Sequence, residues 1–309
     1  MHITSNEKLS SLSKHILSLL FYSQIYRKPS SKIIFICGIN EETSLRQKFI
    51  CYSAKKEDDL RFFEAEKALA AIRDAIKDKD LLTLENQMAE YTDCVLIVLE
   101  GPGAIAELGA FANNEKILEL LIVINDKEHE PSSGRPKNDS FISQGPLKLV
   151  KKGSIYKPSI LYEDIRNYDF DKDPRLYEQI KKTLRSRQRL LLNNATAIPM
   201  QSPFTITDVE KRDKLLILSD VVKLFSPISE KELKALVKDE INIEIGLLLA
   251  LNVIKECTID SIRYFYSVRN QDYSYRYLCK HSIFLKQRTK IICFYKKHSP
   301  ERLEVLKRR

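Results

Sequence analysis

Between residues 81 and 126 the chain passes from an amphipathic helical stretch into the apolar run CVLIVLE, which ends at Glu100. A turn, Gly101-Pro102-Gly103, leads to a second helical stretch over residues 104–112 and then to another apolar run, LLIVIND, ending at Asp126. Short apolar runs without polar alternation are the pattern of strands buried on both faces. Two of them joined through a turn and a helix make a parallel pair, and helices must then cover the sheet. The turn falls at the carboxyl end of a strand, where open α/β sheets bind ligands. Residues 32–38, KIIFICG, read as another parallel strand, residues 45–54 as a short helix, and residues 60–66 as a weaker strand leading into a helix over 67–76. The expected fold class is α/β: a Rossmann-like parallel sheet, followed by a mainly helical C-terminal domain.

Within this unit Glu107 is the unusual residue, a carboxylate among Ala104, Ile105, Ala106, Leu108, Ala110 and Phe111. One reading is an acid in the first helical turn, favoured by the helix dipole. The other is a partly desolvated carboxylate able to attack or stabilise an electron-poor carbon. Further candidates surround it. Gly38 closes the first strand, either for close approach of a ligand to the backbone or to make a turn. Arg46 reaches a phosphate or lies on the surface. Glu85 and Asn86 line the pocket from the side or serve the packing of their helix. Gly101, Pro102 and Gly103 bring the backbone and the free N–H groups of a helix start close to an anion. Neither G-x-x-x-x-G-K nor G-x-G-x-x-G occurs.

A chain of 309 residues is long enough for two domains. We expect residues 1–165 to form the sheet domain, 166–208 a linker with a basic helix, and 209–309 a helix-turn-helix domain with a wing. The six cysteines form no C-x-x-C pair and the five histidines do not cluster, so no metal site is expected, and free thiols in a cytoplasmic protein are. No uninterrupted apolar segment is long enough to span a membrane. The N-terminal LSKHILSLLFYSQIYRK is a poor signal peptide and reads as a helix packing on the first domain.

Charge is uneven. Residues 260–309 hold 13 Lys/Arg against 4 Asp/Glu, and residues 175–189 hold six cations against Glu178. An excess confined in this way favours a polyanionic partner. Arg185, Arg187, Arg189, Lys290, Lys296 and Lys297 are the candidate nucleic-acid contacts. In the C-terminal part, residues 211–225, 229–238 and 243–255 carry helical patterns, with Ser229 and Glu232 as a capping box. Residues 262–268 and 290–296 read as wing strands, and earlier in the chain a basic strand-like run follows Gly145-Pro146 before the end of the first domain. The third helical pattern is mostly apolar and lacks side chains for base edges, which points to protein or phosphate contacts.

The apolar strand, the Gly-Pro-Gly turn and the run Glu107-Leu108-Gly109-Ala110-Phe111-Ala112 resemble the nucleoside 2-deoxyribosyltransferase superfamily. More closely, Leu84-Glu85-Asn86, Pro102-Gly103, Glu107 to Phe111, Asn113-Asn114-Glu115, Ser140-Phe141-Ile142 and Gly145-Pro146 resemble the effector toxins of retrons. The likeness is specific over about residues 32–150 and a matter of layout beyond. It implies a ribosyltransferase-like domain followed by a winged helix, with Glu107 as the nucleophile at an anomeric carbon. It also implies an acid facing the sugar or base, Glu66 or alternatively Glu64. Retron reverse transcriptase and msDNA, its branched RNA–DNA product, are the implied partners, and relatives in which a segment near residues 140–146 closes over a neighbouring subunit's pocket imply a homo-oligomer through the catalytic domain. The transferases usually carry an acid in a D-x-G turn before the nucleophile, whereas this chain has Glu100-Gly101-Pro102-Gly103-Ala104. A base that is already cationic leaves without a proton, so NAD is the expected substrate, with no cofactor. Nucleobase exchange, an N-glycosidase acting on another nucleotide, and a non-catalytic DNA-binding module remain alternatives.

Overall fold

Five parallel strands organise the N-terminal half: β1 (Lys32–Cys37), β2 (Leu60–Phe63), β3 (Cys94–Val98), β4 (Leu121–Asp126) and β5 (Ser159–Tyr162), in the order β2-β1-β3-β4-β5. The computed structural model describes residues 11, 13–18, 25–27, 32–56, 60–73, 76–126, 140–153, 159–162, 167–192, 209–268, 273–277 and 281–307. Every residue of β1 and β3 is buried, as their unbroken apolar runs require. The strand order reverses direction between β1 and β3, which makes the crevice beyond their carboxyl ends the topological switch point of the sheet.

Helices α1 (Leu45–Lys55), α2 (Ala65–Ile72), α3 (Leu81–Ala89), α4 (Pro102–Ala112), α5 (Glu115–Leu118), α6 (Phe141–Gln144), α7 (Pro146–Gly153) and α8 (Arg175–Leu192) accompany these strands. The period-2 alternation of β1 divides its side chains between two layers. Ile34 and Ile36 pack with Leu45, Phe49, Tyr52, Tyr177 and Ile180 on one face. On the other, Phe35 stacks on Phe63 and meets Phe111 of α4 edge-on, with ring centroids 4.8 and 5.9 Å apart. At the opposite end of the sheet the Asp93 carboxylate accepts the Ile33 N–H at 2.9 Å, joining the start of β3 to β1.

Packing divides the chain into two units, residues 31–67 with 76–194, and residues 1–30 with 68–75 and 195–309. The N-terminal segment therefore groups with the C-terminal part, in place of the expected packing on the sheet domain. Its strand Tyr26–Arg27 pairs antiparallel with Tyr275–Arg276. In this second unit α9 (Lys211–Phe225), β6 (Ile228–Ser229), α10 (Glu230–Val237), α11 (Asn242–Ala250), β7 (Ile254–Ile259) and β8 (Ile262–Ser267) follow in order, and the strands form an antiparallel sheet β6-β8-β7. The Ser229–Glu232 capping box starts α10 as expected. Asp260 and Ser261, with φ of 47° and 64°, make the two-residue turn between β7 and β8.

Three expectations on secondary structure are corrected. The third helical pattern, read over 243–255, stops at Ala250, because Asn252 takes a left-handed φ of 52° and the chain then enters β7. Residues 290–296 are helical, inside α12 (His281–His298), and do not form a wing strand. Phe284, Gln287, Ile291 and Tyr295 are buried at helical spacing there, and that stripe overrides the β-propensity of the Ile-Ile-Cys-Phe-Tyr run. The strand-like run after Pro146 is likewise helix α7, burying Leu147 and Val150 three residues apart. No described helix is long and apolar enough to cross a membrane.

Candidate active site

The register between β1 and α4 places Glu107. Cys37 lies two residues beyond Phe35 on the same face of β1, about 6.6 Å further along the strand. Glu107 lies one helical turn before Phe111, about 6 Å back along α4. Because Phe35 and Phe111 touch, Cys37 and Glu107 are brought together above them, at the carboxyl end of the sheet. There the Cys37 thiol lies beside the Glu107 carboxylate, close enough for each to shift the other's pKa. The helix begins at Pro102, so Glu107 is in its second turn and not the first. A dipole role, which fades within the first turn, is thereby ruled out.

Glu107 is half-buried, and burial raises its pKa, offset in part by the Cys37 thiol and by the charge of Arg46. Cys37, only 2% exposed, has its thiol pushed well up by burial and by the charges of Glu107 and Glu85, and so remains a donor. Of the two polar residues read together on α3, Glu85 is the one that faces the site. It is 9% exposed on the buried face of α3, beside Leu84, Met88 and Ala89. Among the described residues no hydrogen-bond or ion-pair partner meets it, and burial, followed by the charges of Glu107 and Glu66, raises it to about 7. The apolar stripe of α3 held the signal, since Glu85 interrupts it.

Asn86 itself is tied up structurally. Its amide donates to the Leu82 carbonyl at 2.8 Å and accepts from Asn114 at 3.2 Å, which joins α3 to the cap of α5. Arg46 is neither a surface arginine nor a free phosphate ligand: it is 3% exposed, donates to the Gly38 carbonyl at 2.9 Å, and pairs with Glu64 and, at 2.5 Å, with Glu66. Glu64 is held below its ordinary pKa: burial raises it, and the hydrogen bonds from Lys67, Arg46 and Gln47 outweigh that. Glu66 remains nearer solvent, and its charge is felt by both Glu85 and Glu107. Replacing Arg46 by Met leaves Glu64 buried without its guanidinium, and an unfolding loss of about 3 kcal/mol is expected in chemical denaturation.

The glycines separate into two kinds. Gly38, at φ 154°, leaves room for the Glu100 carboxylate, which would lie 3.0 Å from an added Cβ, and Gly101 makes similar room for Ile39. Both shape the turns. Gly103 and Pro102, by contrast, are exposed, with open space where a Gly103 side chain would be, and no side chain caps the N-terminus of α4. The acid in the turn, Glu100, is already engaged: its carboxylate accepts the N–H groups of Ile39, Leu45 and Arg46 at 2.9–3.3 Å and caps α1. Burial raises its pKa and these backbone donors oppose the rise, so its oxygens are engaged as acceptors and it is a poor proton donor to a ligand beside Glu107. Of the proposed basic contacts, Lys290, Lys296 and Lys297 are exposed on α12, and the side chains of Arg185, Arg187 and Arg189 lie outside the described residues.

A profile described as "STM3845 retron effector protein" matches residues 42–266. The chain is 26% identical over 304 residues to the "Retron Ec73 putative ribosyltransferase/DNA-binding protein" of Escherichia coli, covering 89% of this chain and 88% of that one. It is 35% identical over 130 residues to the "Retron Ec86 putative ribosyltransferase/DNA-binding protein" of Escherichia coli, covering 41% of this chain and 40% of that protein.

Proposed function

Because this chain belongs to the STM3845 retron effector family, we propose that it is the toxic effector of a retron and cleaves the N-glycosidic bond of a nucleotide, with Glu107 at the anomeric carbon. One observation carries the reading: Glu107 is half-buried, with its pKa raised by burial, beside the Cys37 thiol at the switch point of a parallel sheet. Breaking such a bond builds positive charge at the sugar, and a carboxylate held in low dielectric stabilises that charge or bonds to the carbon. Water then takes the sugar. The α4 N-terminus, free of a capping side chain, offers backbone N–H groups to a phosphate of the substrate.

NAD is the first substrate choice. Its nicotinamide departs without a proton, and the acid of the turn, Glu100, is occupied with backbone N–H groups. Glu85 favours a second reading. A carboxyl still half protonated near pH 7 can protonate a neutral purine or pyrimidine as it leaves, which would admit ordinary nucleosides or nucleotides. Retron reverse transcriptase and msDNA are the partners this family membership suggests, as restraints on the toxin. Incubating the purified chain with NAD and with a panel of deoxynucleosides, and following free base by chromatography, tests the reading. Nicotinamide alone supports NAD, purines or pyrimidines support the second reading, and a sugar moved between bases would replace hydrolysis with exchange.

Cys37 gives a further expected result. Removing the thiol in Cys37→Ala takes away a group that lowers the Glu107 pKa, so the acid limb of the pH–rate profile should move to higher pH. Cys37→Ser keeps a donor and should hold the limb near its wild-type position. Equal limbs in all three proteins would show that the thiol does not act on Glu107.

A further inference from the structure

The α10–α11 pair has a helix-turn-helix layout, whose second helix ordinarily enters the DNA major groove. Here that helix is covered. An added Cβ on Gly246 of α11 would lie 2.7 Å from the Ala68 carbonyl oxygen and 3.2 Å from Ile72, so residues 68–72 of the same unit sit directly on it. Residues 244–248 are buried, and α11 contains no Lys or Arg. The adjoining β7–β8 hairpin is engaged in the same way. Its Arg263 donates to the Ala71 carbonyl at 2.9 Å and to Glu256 and Glu230 at 2.6 and 3.3 Å.

The longest row of exposed positive charge on one helix of the unit lies on α12. This helix of 18 residues carries five Lys/Arg and no Asp or Glu. Its buried stripe packs inward, and Arg288 and Tyr295 donate to the last carbonyls of α9, Leu224 and Phe225, at 2.8 and 2.9 Å. On the outer side Lys286, Lys290 and Lys297 fall within about 40° of one another around the axis and span about 16 Å along it. All three are exposed, and none has a carboxylate partner among the described residues. Lys296 is exposed too but lies to one side of this row. Small side chains, Ser282, Thr289 and Cys293, flank the lysines. Elsewhere in the unit Lys214, Lys234 and Arg302 each meet at least one acid. Lys231, Lys238 and Lys255 are exposed on separate turns and strands, outside any helical row of this length.

We propose that the outer face of α12, through Lys286, Lys290 and Lys297, is the docking surface for the phosphate backbone of a nucleic acid, and that the helix-turn-helix of this chain does not read DNA. A row of point charges without bidentate readers binds phosphates and ignores sequence. A membrane does not suit this helix, because its apolar face is already packed inside the unit. The proposal rests on charge and packing alone and stands apart from the glycosidase reading of Glu107.

The test is fluorescence anisotropy of the full chain with labelled mixed-sequence single-stranded and duplex DNA across a salt series. The triple variant Lys286→Gln/Lys290→Gln/Lys297→Gln should bind at least tenfold more weakly, and its slope of log affinity against log salt should be shallower by about 2–3, as for three lost phosphate contacts. The triple Lys→Arg variant should bind as wild type does, and base release should be unaffected in both. Unchanged affinity and slope in the Lys→Gln variant would overturn the proposal. So would a marked preference for one base sequence, or wild-type binding to polyglutamate and not to DNA, which would make the partner an acidic protein.

Discussion

Glu85→Gln is expected to be as stable as wild type at pH 4 and more stable by roughly 3 kcal/mol at pH 8. The sign follows from the raised carboxyl. In the unfolded chain Glu85 ionises near 4.5, whereas in the folded protein it holds its proton to about 7, because burial and then the charges of Glu107 and Glu66 oppose ionisation. Between these values the folded state binds the extra proton, so stability falls as pH rises through the window and levels off above it. The amide has the shape of the protonated acid and no such dependence. Denaturation of both proteins at pH 4, 6 and 8 reads the difference directly; a constant difference would mean that Glu85 is hydrated in the folded protein. The same substitution separates the two substrate readings. Loss of a general acid should lower release of a neutral base by about 10²-fold or more and leave nicotinamide release from NAD within tenfold of wild type.

Glu107→Gln is expected to lower base release by about 10³-fold or more. The amide keeps the shape of the side chain and its place above Phe111 but cannot balance the charge at the anomeric carbon. Its fold should be unchanged, because Glu107 is only half-buried and closes no structural ion pair. An unchanged melting temperature with lost turnover is therefore the expected pattern. Loss of both would assign Glu107 a structural part.

Most of the sheet could be read from the chain itself, because β1, β3 and β4 are buried on both faces and such strands cannot hide their composition. The capping box of α10 was legible for a local reason, since Ser229 and Glu232 bond to each other's backbone. Residues 290–296 were not, because branched and aromatic side chains suit a strand as well as a helix until a neighbouring surface selects one face. Glu107 stood out by its apolar neighbours. Glu85 was marked only as one of two polar residues on its helix, because a carboxyl on an apolar stripe acquires its meaning only when α3 meets the end of β1. Arg46 shows the converse: its pairing with Glu64 and Glu66 joins three elements distant in sequence, and no local pattern marks a buried arginine. The covering of α11 by residues 68–72 likewise depends on tertiary packing alone.

The central claim, that Glu107 is the centre of glycosidic cleavage, is tested most directly by following nicotinamide released from NAD by the wild-type chain and by Glu107→Gln under identical conditions. The account predicts steady release by the wild type and none above background by the variant. Release at the same rate by both would contradict it.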